Sequence, residues 1–272
     1  MTDFLGLMAA ASQVRVAELR AHESMSQLRS RANGTALPLR LQRRGAFDLI
    51  AEFKCRSPSA GTFDPSDLAT RVTAYARGGA AAVSVLTEPM QFGGEISHLS
   101  TAAAALVPFG IPVMRKDFIV DPYQVYETRA AGGGGILLIV RILTRGQLAE
   151  LRDCARELSL FVLLEAFDED DLEQAATELG RSPSNGDDSP FLIGVNCRDL
   201  RTLEVQPQRL LELAPRLPQA TLRVAESGIE TALDCAHMAR AGFNFALVGS
   251  ALMKCPDPEP VISEMLAAGR AA

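Results

Sequence analysis

A chain of 272 residues is long enough for one large α/β domain or two small ones, and 47% hydrophobic content with mean hydropathy +0.09 can supply a sizeable core. A net charge of −6 and a pI near 5.2 argue against a nucleic-acid-binding surface. No apolar run approaches the roughly 18 residues that a membrane span needs. The five cysteines (Cys55, Cys154, Cys197, Cys235, Cys255) are odd in number, scattered, and free of any Cys-x-x-Cys pair. That usage fits a reducing cytoplasm and speaks against a zinc site. His22, His98 and His237 lie far apart, so neither a histidine metal site nor a triad is expected. Met1-Thr2-Asp3-Phe4 lacks the basic region of a signal peptide.

The first 45 residues are rich in Ala, Leu and Arg, with apolar residues at helical spacing (Phe4, Leu5, Met8, Val14, Val16, Leu19). They read as an N-terminal helical extension packed on the domain formed by residues 46–272. Short β-rich runs then recur at Asp48–Phe53, Ala80–Leu86, Pro112–Arg115, Gly135–Val140, Leu160–Leu164, Phe191–Asn196, Leu222–Ala225 and Phe245–Val248. Several are almost continuously apolar, as expected for parallel strands covered on both faces. Helical segments separate them. Pro65–Tyr75 follows a candidate cap at Asp64, and Pro122–Ala130 places proline in the first turn after Asp121. Gln147–Leu158 and Asp168–Leu179 are amphipathic, and Gly78, Gly132 and Gly242 stand where left-handed C-caps are needed. Arg181–Pro190 reads as a polar loop before the sixth strand.

Eight strands alternating with helices predict an α/β fold of the (β/α)8 TIM-barrel type with an N-terminal helical extension. A doubly wound sheet is the rival, but no Gly-x-Gly-x-x-Gly follows the first strand.

Lysine is scarce: Lys54, Lys116 and Lys254 stand beside twenty-four arginines. Two of the three end apolar runs. A lysine there suggests proton chemistry or carboxylate binding, since burial readily lowers its pKa. Alternation along the strands puts Ile50, Glu52 and Lys54 on one face, and does the same for Met114 with Lys116 and for Phe161, Leu163 and Glu165. Gly194, Asn196 and Arg198 align, as do Leu222, Val224 and Glu226. In a barrel these polar ends converge on one mouth, where unpaired charges are costly. A cluster of both signs therefore implies mutual pairing and a ligand.

Three segments of small residues are suited to an anion: Ser57-Pro58-Ser59-Ala60-Gly61 after the first strand, Glu226-Ser227-Gly228-Ile229 after the seventh, and Gly249-Ser250-Ala251 after the eighth. Their backbone N–H groups can approach a phosphate closely. Phe92, Phe118 and Pro58 are candidates for an apolar wall.

Together the segments Ile50–Ser59, Ser84–Glu88 with Phe92-Gly93-Gly94, Arg115–Gln124, Gly194–Leu200, Val224–Ile229 and Val248–Met253 resemble indole-3-glycerol phosphate synthase, a barrel family of tryptophan biosynthesis. The likeness spans about residues 48–254 and is weakest in the N-terminal extension. It implies closure of the pyrrole ring of 1-(2-carboxyphenylamino)-1-deoxyribulose 5-phosphate with loss of CO2 and water, no cofactor and no metal.

By resemblance Lys116 is the general acid, Lys54 pairs with the substrate carboxylate while Glu52 holds its ammonium, and Glu165 is the second acid–base group. Asn196 and Glu226 contact sugar hydroxyls, and Arg198 adds cationic support. Ser57, Ser227, Gly228, Gly249 and Ser250 resemble the phosphate grip. Three places depart from the family: Ala166-Phe167 where Val-His is usual, Cys197 where a second Asn is usual, and Gly132-Gly133-Gly134-Gly135 in the turn before the fourth strand. The remaining alternatives are another phosphosugar-binding barrel, of isomerase or Schiff-base aldolase type, and a non-catalytic barrel. The expected partner is a small phosphorylated molecule, with no nucleic acid or membrane, and the expected unit is a cytoplasmic monomer.

Overall fold

The computed structural model describes residues 4–57, 61–62, 67–180, 190–199, 202, 204–218 and 220–272. Eight parallel strands close into a barrel. They are β1 (Asp48–Phe53), β2 (Ala82–Leu86), β3 (Val113–Lys116), β4 (Gly135–Ile139), β5 (Phe161–Ala166), β6 (Phe191–Asn196), β7 (Leu222–Glu226) and β8 (Phe245–Val248). Closure is made by β1, which pairs with β8 through Ile50 and Leu247 and with β2 through Glu52 and Ser84. The fold is therefore the (β/α)8 barrel, and the doubly wound sheet is excluded.

Period-two alternation sorts the side chains as the pleat requires. Ile50, Met114, Phe161, Leu163, Val224 and Phe245 fill the barrel interior. Leu49, Ala51 and Phe53 of β1, with Val83 and Val85 of β2, join the outer layer beneath the helices. The strands run further toward the mouth than their apolar runs suggest: Lys116, Glu165 and Glu226 are the last or next-to-last residues of β3, β5 and β7. A charge need not end a strand when strand ends across the barrel mouth carry its counter-charge: Lys116 of β3 meets Glu165 of β5 and Glu226 of β7.

Two helices precede the barrel, α1 (Phe4–His22) and α2 (Met25–Gly34). Leu5, Met8, Ser12 and Val16 form the buried face of α1, while Val14 points to solvent. The helix α3 (Leu68–Gly78) ends at Gly79, whose φ of 100° supplies the left-handed cap expected of Gly78. Gly132 and Gly242 adopt positive φ as expected. Asp64, Pro58 and the loop at 181–189 lie outside the described residues. Between β2 and β3 come a single turn, α4 (Pro89–Phe92), and α5 (Ile96–Leu106). Then α6 (Pro122–Ala130) starts at Asp121, whose carboxylate accepts from the Tyr123 N–H at 2.8 Å. The sequence α7 (Arg145–Glu157), α8 (Glu169–Gly180), α9 (Gln208–Leu213), α10 (Ala232–Arg240), α11 (Ser250–Lys254) and α12 (Pro258–Ala271) completes the outer ring.

The glycine-rich turn before β4 has a packing reason. A Cβ on Gly134 would meet the Leu39 carbonyl at 2.6 Å, and one on Gly135 would lie 2.5 Å from the Phe161 ring. The segment that leads from α2 into the barrel, and the largest interior ring of β5, both use this space. Gly135→Ala is expected to lower unfolding free energy by about 1–3 kcal/mol through overpacking; urea unfolding midpoints of the two proteins check this.

Candidate active site

The C-terminal ends of the strands enclose a cavity of about 220 Å³. Lys54 follows β1 directly and is buried. Its Nζ donates to Glu52 Oε1 at 2.8 Å and to Ser250 Oγ at 3.3 Å. Burial alone would push the Glu52 carboxyl up, but the cations Lys54, Lys116 and Arg198 outweigh it and hold Glu52 below the usual carboxylate range. Gly249 is small for a reason: a Cβ there would collide with the Glu52 carboxylate and lie 3.1 Å from Lys54 Nζ.

Across the mouth, Lys116 Nζ lies 3.2 Å from Glu165 Oε1 and 3.3 Å from Glu226 Oε2. Asn196 Nδ2 donates to Glu165 Oε1 at 2.7 Å, and Asn196 Oδ1 accepts from Ser227 Oγ and from the Arg198 N–H, each at 2.9 Å. Burial works against the Lys116 charge, yet Glu165, Glu226 and Glu52 reverse the balance and raise its pKa above that of ordinary lysine. The expected drop on burial therefore does not occur at this lysine: three carboxylates keep it an ammonium. Burial, opposed by Lys116 and reinforced by Glu165, pushes the Glu226 carboxyl up to about 8. Among the described residues its Oε1 has no hydrogen-bond partner, and it lies over Gly194, where any Cβ would strike it.

The turns after β7 and β8 face the same cavity. Ser227 and Gly228 both adopt φ of 69°, and Gly228, Gly249 and Ser250 line the space. Ser250 is engaged by Lys54, which links this turn to the charge cluster. Arg198, Phe92 and Phe118 line the cavity as expected. Ser57 lies in a two-stranded hairpin, paired with Gly61, just beyond Lys54. Lys254 is exposed on α11, away from the cavity lining.

Several lining residues escaped the sequence reading. Phe4 of α1 packs edge-on against Phe118 at 6.2 Å. Leu137 and Ile139 of β4 supply an apolar floor, and their position on the inward face of a strand was the available signal. Glu88 also faces the cavity, while its carboxylate caps α4 by accepting from the N–H groups of Met90, Gln91 and Phe92 at 2.7–3.1 Å. Of the departures, Phe167 is buried beneath Arg141, whose guanidinium sits 4.6 Å from the ring centroid. Cys197 faces the outer layer, and its thiol donates to the Ser227 carbonyl at 3.4 Å. Among the described residues no cluster of three or more His, Cys, Asp or Glu is arranged to hold a metal ion, and no helix is long and apolar enough to cross a membrane.

Fold and mouth together define a (β/α)8-barrel enzyme equipped for acid–base chemistry. The pattern of the indole-3-glycerol phosphate synthase family matches residues 6–265, and the chain belongs to that family. The match takes in α1 and α2, so the N-terminal extension is part of the family pattern rather than an addition to it. An indole-3-glycerol phosphate synthase of Leifsonia xyli is 40% identical over 270 residues, covering 96% of this chain and 97% of that protein. One of a Nocardioides species is 44% identical over 227 residues, covering 82% and 81%. Among solved structures, 3-hexulose-6-phosphate synthase from Salmonella typhimurium superposes with TM-score 0.62 at 11% identity, covering 82% of this chain and 98% of that one. That likeness shows the fold alone.

The raised Glu226 carboxyl makes a pH-dependent prediction. Its folded-state value of about 8 exceeds the ordinary 4.5, so the unfolded chain ionises first as pH rises. This group therefore costs the folded state stability progressively from about 4.5 to about 8. Glu226→Gln is expected to gain stability relative to the parent protein as pH increases through that window, as read from urea midpoints at several pH values.

Proposed function

We propose that this chain is an indole-3-glycerol phosphate synthase, acting on 1-(2-carboxyphenylamino)-1-deoxyribulose 5-phosphate. The observation that carries the reading is Lys116, an ammonium held between Glu165 and Glu226 at the mouth of the barrel. The aryl carbon bearing the carboxylate attacks the ketone carbon, and Lys116 delivers a proton to the carbonyl oxygen as the new C–C bond forms. The carboxylate paired with Lys54 leaves as CO2, and its electron pair restores the aromatic ring. Glu165, within reach of the same ammonium, assists loss of the resulting hydroxyl as water with a proton from the ring C–N unit. Glu52 fixes Lys54, and Asn196 fixes Glu165 through the contact described above.

Asn196 and Glu226 are assigned to the sugar hydroxyls. Arg198, Ser57, Ser227, Gly228, Gly249 and Ser250 are assigned to the phosphate end, with Phe92, Phe118 and Pro58 at the aryl end. Support comes from the cavity lining, which combines Gly228, Gly249, Ser250 and Arg198 with the apolar Phe4, Leu137 and Ile139. A Schiff-base aldolase is disfavoured, because such a lysine needs a lowered pKa and Lys116 has a raised one. The inward pairing of Lys54, Lys116 and Glu165 likewise speaks against a barrel that only binds. We further propose a cofactor-free monomer of the cytoplasm; one chain supplies every side chain named at the mouth, and its five cysteines are free thiols.

The protein contains no tryptophan, so indole emission from product stands out against its own weak fluorescence. Adding the carboxyphenylamino-deoxyribulose phosphate is expected to produce that emission, and its absence at high enzyme concentration refutes the reading. Lys116→Ala and Glu165→Ala are each expected to lower kcat by roughly 10²–10⁴-fold, the usual contribution of a positioned acid or base. Near-normal turnover by either purified variant removes that residue from its role.

A further inference from the structure

Next to Lys116 lies a second group of buried charges that the proposed chemistry does not use, and its central residue also borders the cavity. Asp117 is its centre. Its Oδ1 accepts from Arg15 Nη2 at 2.6 Å and from the Phe118 N–H at 2.8 Å. Its Oδ2 accepts from Thr87 Oγ1 at 2.7 Å and from Arg115 Nη2 at 2.9 Å. Arg115 points away from the mouth, on the opposite face of β3 from Lys116, and also binds Glu127 Oε2 at 2.7 Å. Burial alone would raise the Asp117 carboxyl, but Arg115 and Arg15 hold it below the usual carboxylate range, so it stays an anion that needs both guanidinium groups.

Helix α1 grips the same short segment at two further points. Ser12 Oγ donates to the Phe118 carbonyl at 2.5 Å, and Gln124 Nε2 donates to Ser12 Oγ at 3.0 Å. The Phe4 ring meets the Phe118 ring edge-on. Both backbone polar groups of Phe118, and its ring, are thus held by α1 directly or through Asp117. The residue before this segment is Lys116, and Phe118 itself lines the cavity. Thr87 leads into Glu88 and the α4 turn that carries Phe92, so the same carboxylate also joins a second part of the cavity wall.

We propose that Arg15 and Asp117 are positioning residues through which α1 holds Lys116 and Phe118 in working geometry. On this reading the N-terminal helix belongs to the catalytic apparatus through an ion pair beside the reacting groups. The activity arm of the test rests on the synthase reading above; the exchange arm does not.

The test compares the full chain with Arg15→Ala and Arg15→Lys. Only one guanidinium nitrogen reaches Asp117, so a lysine ammonium can replace the contact. Arg15→Ala is expected to lower kcat by roughly 10–100-fold, the scale of a small misplacement of a reacting group. KM should rise less, and Arg15→Lys should recover most of the loss. Hydrogen–deuterium exchange should quicken over residues 116–120 in Arg15→Ala and remain unchanged over β5. Wild-type kcat and KM in Arg15→Ala would overturn the proposal. So would unchanged exchange at 116–120, or equal losses in both variants with faster exchange across the whole barrel. If the parent protein gives no indole emission, the synthase reading fails, and the exchange result still decides whether Arg15 holds the segment.

Discussion

The arrangement depends on charge balance in a nearly dry space. Two ammonium groups, Lys54 and Lys116, are withdrawn into the barrel mouth, and three carboxylates, Glu52, Glu165 and Glu226, accompany them. Removing charged groups from water is costly, and mutual attraction recovers that cost only when geometry is close and the remaining polar atoms are bonded. Here the recovery is uneven. Glu52 is fully committed as an anion, Lys116 is held as a cation, and Glu226 is left with a high proton affinity and one oxygen without a partner among the described residues. The site thus contains both a firmly held proton on nitrogen and an oxygen whose proton exchanges near neutral pH, a combination suited to chemistry that needs protons delivered and removed at adjacent atoms.

The scaffold around these charges follows from that need for close approach. Gly194 within β6 and Gly249 just after β8 lie where a methyl group would occupy the space of a carboxylate. Ser227 and Gly228 turn the chain back through left-handed conformations directly after Glu226. The outer face of β3 carries Arg115 where an apolar residue would normally pack against a helix. That substitution lets a second buried ionic group brace the first from behind. The two groups share β3 through adjacent residues, so displacement of one is felt by the other with little intervening chain.

Much of the barrel was legible because its physics is local. Alternation and strand-end chemistry placed Glu52, Lys54, Lys116, Glu165, Asn196 and Glu226 on inward faces, and the rarity of lysine marked two of them. Strand ends extend past the apolar runs because a charge, which normally signals exit from a core, here meets counter-charges on non-adjacent strands across the mouth. The group around Asp117 was hidden for a different reason. Ser12 and Arg15 lie on a helix where polar residues ordinarily meet water, and their partners are about a hundred residues away. Val14 misled in the opposite sense, since a lone apolar residue at helical spacing does not declare which face it occupies. Nor could the direction of the Lys116 pKa be read from burial alone, because it depends on three carboxylates drawn from separate strands.

The division of the three lysines has a practical side. Lys54 and Lys116 point into the barrel and are tied up with carboxylates, while Lys254 projects from the surface of α11. Among lysine side chains, an amine-directed dye, crosslinker or resin would meet a single accessible handle, set apart from the cavity. The near-exclusive use of arginine elsewhere thus leaves this protein ready for attachment at one lysine without a surface redesign.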